Sequence, residues 1–179
     1  MLNRIYTIGH STRELLEFVR ILRAHEVTRL ADVRRFPGSR RHPHFSREAL
    51  EHSLPRAGIL YEHFEALGGR RRPTKNSPNG AWESDQFRGY ADHMDTQEFR
   101  DAVARLPDSD RATAVMCAES VPWRCHRNLL SDDLVRRGVE VLHILDAGAA
   151  QPHTLNPMAK IVGDRVLYPP EQSSMFGAL

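Results

Sequence analysis

A chain of 179 residues, 40% hydrophobic and 27% charged with a formal charge of +2, suits one domain with a real core and excludes the disordered and fibrous classes. No apolar run approaches the roughly 18 residues of a membrane span, and the opening MLNRIYTIGH has no signal-peptide apolar region, so a cytoplasmic protein with no membrane partner is expected. Two cysteines are too few for a disulfide scaffold, and the basic residues are arginines apart from Lys75 and Lys160.

Taken in order, the chain alternates strands and helices. Arg4 to Ile8 reads as a first strand ending at Gly9 and His10, and Ser11 to Glu14 has capping-box spacing for a helix carrying Leu15, Phe18, Val19 and Leu22. Thr28 to Val33 is a second strand, after which DVRRFPGSRRHPHFS leaves regular structure through two prolines and a glycine. Ser46 is placed to cap a helix through Leu50 and Leu54 that Pro55 or Gly58 ends, and Ile59 to Phe64 is a third strand. Between Arg70 and about Gly89, Pro, Gly, Asn and Ser interrupt any apolar period, so a long loop is expected, of the kind that carries function in a compact domain. Asp95 or Thr96 starts a helix with Phe99, Val103 and Leu106 at helical spacing before Pro107.

Ala112 to Met116 is apolar throughout, the pattern of an interior parallel strand. Cys125 to Arg137 reads as a helix with Leu129, Leu130, Leu134 and Val135 on its apolar side and Gly138 closing it, and Val139 to Ile144 as a fifth strand. Lys160 to Tyr168 looks like a small hairpin turning at Gly163 and Asp164, followed by a loose tail over about 169–179. The fold class expected is α/β: one Rossmann-like three-layer domain, a mainly parallel sheet flanked by helices, with a small C-terminal hairpin. Ligands of such sheets bind outside the carboxyl ends of the strands. His10, Asp32 with Arg34, Cys117 with Glu119, and His143 with Asp146 all fall at such ends, so one crevice is expected to collect them.

Six ordered motifs also stand out: TIGHS (Thr7 to Ser11), DVRRFPGSRRHPHF (Asp32 to Phe45), LGGRR (Leu67 to Arg71), GYADHM (Gly89 to Met94), CAES with CHR (Cys117 to Ser120, Cys125 to Arg127) and VLHI (Val141 to Ile144). Together they closely resemble the bacterial family catalogued as domain of unknown function 488. The resemblance runs from Arg4 to about Ile144, with no clear motif in the Arg70 to Arg88 loop or after Asp146. It implies no particular activity.

The second motif is the most basic part of the chain. Arg34, Arg35, Arg40, Arg41 and Arg47 lie with His42 and His44 in an acid-free run from Val33, and Arg70, Arg71 and Arg72 add to them. Guanidinium groups match phosphate oxygens bidentately, and Phe36, Phe45 and Trp82 offer surfaces on which bases stack. The opposing reading is a solvated face whose arginines pair with Asp32, Glu48 and Glu51. In the Cys117 to Arg127 loop, Glu119 is placed as a general base, with Asp32 and Asp92 as the other candidate carboxylates, His10 beside it and Tyr90 as a hydrogen-bond donor. His126 and Arg127 are placed to hold substrate, or to pack.

Cys117 and Arg124 have six residues between them where a thiolate-phosphate loop usually has five. Cys117, Cys125 and His126 are the donor types zinc prefers, but in no common short zinc spacing. A strand-end Cys117, buried and not bonded to Cys125, is therefore expected. His25, His52, His63 and His153 carry no motif and read as surface or core residues.

The function these residues suggest is an enzyme, a hydrolase or glycosidase in type, acting on a phosphate-bearing nucleotide or nucleic acid. Arg34, Arg40, Arg41, Arg70, Arg127 and His126 would bind substrate, and the chemistry would fall to Glu119, Asp32, His10, Tyr90 or Asp92. No cofactor is expected. The alternatives are a non-catalytic nucleic-acid-binding module, and a zinc or redox protein built on Cys117, Cys125 and His126. Oligomeric state is left open.

Overall fold

Short strands build the centre of the molecule: β1 (Arg4–Gly9), β2 (Arg29–Asp32), β3 (Leu60–His63), β4 (Thr113–Cys117) and β5 (Glu140–Ile144) pair in parallel, and β6 (Gln151–Pro152) adds an antiparallel edge. The computed structural model describes residues 3–38 and 40–171. Strand order is β3-β2-β4-β1-β5-β6, so β4, buried at every position, lies between β1 and β2. The helices are α1 (Leu15–Ala24), α2 (Arg47–Ser53), α3 (Asp85–His93), α4 (Gln97–Ala104) and α5 (Arg127–Arg136), and the hairpin of β7 (Lys160–Val162) and β8 (Arg165–Leu167) forms where expected. This is the α/β architecture that the alternation of elements predicts. No helix among the described residues is long and apolar enough to cross a membrane.

Period-two alternation divides the core into two layers. Ala114 and Met116 of β4, with Ile8 and Leu30, pack under Phe18, Ile21 and Leu22 of α1 and Leu50 of α2. Val115 and Cys117, with Ile5, Ala31 and Val141, pack under Phe99 and Val103 of α4 and Leu129 and Leu134 of α5. Thus β1 and β4 are neighbours, yet the helices that follow them cover opposite faces of the sheet. Their outgoing loops diverge, and a crevice opens at the carboxyl ends of these two strands, as at the switch point of an open parallel sheet.

Three expectations about elements are corrected. The capping box at Ser11 to Glu14 does not form: α1 begins at Leu15 without a side-chain cap, and Ser11, at φ 51°, gives its amide to Ala118 O instead. Ser46 and Thr96 do cap, accepting from the amides of Ala49 and Phe99. The stretch 70–89 is not all loop, since α3 starts at Asp85. Its apolar residues Phe87, Tyr90, Ala91 and Met94 have helical spacing, but Gly89 in their midst reads as a breaker. Gly89 is needed there for another reason: a Cβ would lie 2.2 Å from Arg71 O, where the loop crosses the helix. Finally, α5 begins at Arg127, because Pro122–Arg124 form a tight 3-10 turn and Cys125 is extended. The edge strand β6, exposed at both residues, carries no apolar pattern to announce it. Of the expected tail, 172–179 lies outside the described residues.

Asp92 of α3 ties down the preceding loop. Its carboxylate accepts from the amide and hydroxyl of Thr74, the hydroxyl of Ser77 and Nδ2 of Asn79, at 2.6–3.0 Å. Burial opposes the charge, but the hydrogen bonds from Ser77, Thr74 and Asn79 outweigh it and hold Asp92 below the usual carboxylate range. A depressed folded-state value contributes stability above the unfolded value of about 3.9, which is lost as pH falls through the folded value. Asp92→Asn is expected to lower the urea midpoint at neutral pH, with the gap to the parent narrowing in acid. A gap independent of pH would remove the charge from the explanation.

Candidate active site

The site grows from the two neighbouring strand ends. His10 N donates to Cys117 O and Ser11 N to Ala118 O, each at 2.9 Å, so pairing continues one step beyond β1 and β4. The chain after β4 then folds back over β1, which demands Gly9: a Cβ there would lie 1.7 Å from Glu119 O. Ala118, Glu119 and Ser120 are left exposed on the wall of a cleft of about 760 Å³. Six arginines line it, Arg34, Arg35, Arg40, Arg41, Arg70 and Arg124, against one carboxylate, Glu119. Phe36, 61% exposed, and Phe87 supply apolar surface.

Beneath the cleft lies a cluster that fixes His10. Arg34 donates to both oxygens of Asp32 (Nε to Oδ1 2.8 Å, Nη2 to Oδ2 2.5 Å) and to Phe45 O, while the Arg34 amide and the Tyr61 hydroxyl also donate to Asp32. All of Asp32's acceptor capacity is thereby used. Arg34 Nη1 sits 3.3 Å from His10 Nε2, and His10 Nδ1 faces Ser11 O at 2.9 Å. A guanidinium only donates and a carbonyl only accepts, so Nδ1 carries the proton and Nε2 is the acceptor. Burial pushes His10 down to about 4, with Arg34 adding to the shift against the Ser11 bond, and the ring stacks on Phe45 at 4.4 Å. His10 is thus a neutral, positioned imidazole.

A second cluster surrounds Arg127, which is only 1% exposed. Its Nε donates to Cys117 Sγ (2.9 Å), Nη2 to Glu119 O (2.6 Å) and Nη1 to Thr7 Oγ1 (3.2 Å). Thr7 then donates to His143 Nδ1 (2.7 Å), His143 Nε2 to His153 Nδ1 (2.9 Å), and His153 Nε2 to Asp132 Oδ1 (2.7 Å). The direction is fixed at both ends, by a cation that can only donate and a carboxylate that accepts. Burial, with His153 and Arg127 adding, pushes His143 down to about 4, in keeping with a neutral ring. Asp132 is completed by the Tyr168 hydroxyl (2.6 Å) and the Asn156 amide (3.0 Å).

The structure therefore sorts the sequence candidates into three groups. His10, Arg34, Arg40, Arg41, Arg70, Glu119 and His126 line one cleft, with Cys117 and Cys125 at its floor. Asp32 and Arg127 lie behind that lining and hold it. Tyr90 and Asp92 do not line it: the Tyr90 hydroxyl donates to Leu67 O (2.9 Å), and Asp92 holds its loop. Contrary to expectation, His143 and Asp146 do not join the crevice, because alternation along β5 turns His143 toward Thr7 and Asp146 Oδ1 accepts from Gly148 N. Cys117 is buried and unbonded to Cys125, as its strand-end position predicts. Among the described residues, no three His, Cys, Asp or Glu side chains group as a metal site. Thr7 opens the TIGHS motif, but nothing in the sequence links it to Asp132, His153 and Tyr168; the pairing of Thr7 with His143 across β1 and β5 brings them together.

Against known proteins, the model of the family described as "Domain of unknown function DUF488" matches residues 14–134. No curated protein and no solved structure matches the chain. Thr7→Val keeps the side-chain shape and removes the link between Arg127 and His143, leaving a buried donor and a buried acceptor unpaired. A loss of about 2 kcal/mol in unfolding free energy is expected, measured by urea denaturation; an unchanged midpoint would show that the chain from Arg127 to Asp132 contributes nothing to stability.

Proposed function

The chain belongs to the family described as "Domain of unknown function DUF488", and from its cleft we propose an enzyme acting on a phosphate-bearing substrate, a nucleotide or a segment of nucleic acid. One observation carries the reading: five arginines beside the Asp32-paired Arg34 line a cleft at the carboxyl edge of the sheet in which Glu119 is the carboxylate among the described lining residues. Arg40, Arg41, Arg70 and Arg124 are exposed and free to meet phosphate oxygens. Phe36 is the surface on which a base stacks. Glu119 takes a proton from the attacking water, and its backbone is held for that role by Arg127 at its carbonyl.

Two measurements test this. Arg40→Ala with Arg41→Ala, both exposed and therefore harmless to the core, should weaken binding to mononucleotides and to single- and double-stranded nucleic acid. It should also reduce the slope of log affinity against log salt by about one to two. Unchanged affinity and slope would sink the phosphate reading. Glu119→Gln keeps the shape but cannot take a proton, so turnover should fall by about 10²-fold or more with binding retained. A parent protein that binds but never turns over any nucleotide or nucleic acid would favour the binding module instead, since the same arginines serve both.

A further inference from the structure

Cys125 is extended immediately before α5, and its sulfur is the focus of three groups. The Arg127 amide at the start of the helix donates to Cys125 Sγ (3.5 Å), His126 Nδ1 lies 3.6 Å away, and Cys117 of β4 acts on its ionisation. His126 Nε2 donates to Val33 O at 3.1 Å, which fixes the proton on that nitrogen and leaves Nδ1 to receive one from the thiol. The free amides of a helix start favour negative charge on the same sulfur.

The Arg127 guanidinium gives an independent reason for a thiolate here. It is buried with Cys117 Sγ, Thr7 Oγ1 and Glu119 O as its partners, none of them a carboxylate. A buried cation needs a counter-charge, and the thiol pair is the group in contact with it that is able to supply one. Cys117 accepts from Arg127 Nε and its own thiol faces Glu119 O at 4.0 Å, whereas the Cys125 thiol faces His126 Nδ1, the acceptor placed to take its proton. Burial pushes the Cys117 thiol up, and the neighbouring Cys125 pushes it further. Burial also opposes ionisation of Cys125, but the neighbouring Cys117 and His126 outweigh it and hold Cys125 well below the usual thiol range. Tyr90 of α3, which also faces the pair, is kept protonated by burial.

We propose that Cys125 is a thiolate nucleophile at the floor of the cleft, paired with His126, and that it bonds covalently to an anionic electrophile drawn in by the arginines. In the step, a sulfur lone pair forms an S–C bond at an electrophilic carbon. The bond from that carbon to its leaving group breaks, the leaving group departs with the electron pair, and the proton on His126 Nδ1 is there to neutralise it. Cys125 is 4% exposed and lines the cleft, so a small electrophile entering beside Glu119 meets it. The preference for an anion rests on the function proposed above; the thiolate does not.

The test is alkylation of the native protein by neutral iodoacetamide and anionic iodoacetate, with sites mapped by mass spectrometry. Cys125 should take the label first, at a rate that falls only a few-fold between about pH 8.5 and pH 6, where an ordinary thiol with a pKa of about 8.5 slows by roughly 100-fold. His126→Gln should restore the steeper dependence. The ultraviolet absorbance of a thiolate should be present at neutral pH in the parent and in Cys117→Ser and absent in Cys125→Ser, a readout that needs no reagent access. Labelling of Cys117 first, an ordinary pH dependence at Cys125, or no thiolate absorbance at neutral pH would each overturn the proposal, as would thiolate absorbance with no labelling of Cys125. Relative to free cysteine, iodoacetate should be favoured over iodoacetamide, and Arg40→Ala with Arg41→Ala should abolish the bias. Rapid labelling without that bias would overturn the anionic substrate, and the phosphate reading with it, while leaving the thiolate standing.

Discussion

A guanidinium buried without a carboxylate in contact is the constraint on which the rest of this site depends. Arg127 sits where the central strand β4 hands over to α5, and each of its nitrogens is assigned: one to the sulfur of Cys117, one to the carbonyl of Glu119, one to Thr7. These bonds set the path of the loop that carries Glu119 and place a positive charge against the Cys117 sulfur beneath it. They also start a line of hydrogen bonds through His143 and His153 that ends at Asp132. Because a cation opens the line and a carboxylate closes it, every intermediate group has one role, and the core polar network is a single arrangement rather than a choice of several.

The arginines of this protein do two kinds of work, and burial separates them. Arg34 and Arg127 are structural cations: the first is neutralised by Asp32 and aims a hydrogen bond at His10, the second organises the floor of the cleft. Arg40, Arg41, Arg70 and Arg124 are exposed along the same cleft. A field built this way is strong at the wall and fixed at the base, because the buried charges cannot swing out to follow a ligand and the exposed ones can. Asp32 belongs to the fixed part. Four donors converge on it, so its contribution to the site is the posture of Arg34.

The local patterns of the chain were sufficient for the α/β class, for the five parallel strands to within a residue or two, and for the placing of His10, Arg34, Cys117 and Glu119 at the carboxyl edge. Each of these follows from apolar periodicity and from the side-chain direction that a strand imposes on the residue that ends it. The start of α1 and the extent of α3 were not legible. Ser11 to Glu14 has the composition of a capping box, but the Ser11 amide is claimed by Ala118 across the sheet. Gly89 looks like a helix breaker and is instead the point where a loop touches the helix.

What the sequence determined by itself is therefore the inventory and its edge: an acid-free arginine strip, a carboxylate and two thiols, all at or near the ends of strands. Tertiary structure alone decided which of them meet. The order β3-β2-β4-β1-β5-β6 puts strands far apart in the chain side by side, so Thr7 reaches His143 and Arg127, and His10 reaches Arg34. Asp92 and Tyr90, equally plausible by composition, are taken up by a loop and a backbone carbonyl. The reason is physical: periodicity reports which face a residue is on, whereas the partner it finds there depends on strand order and on crossovers, which no local pattern encodes.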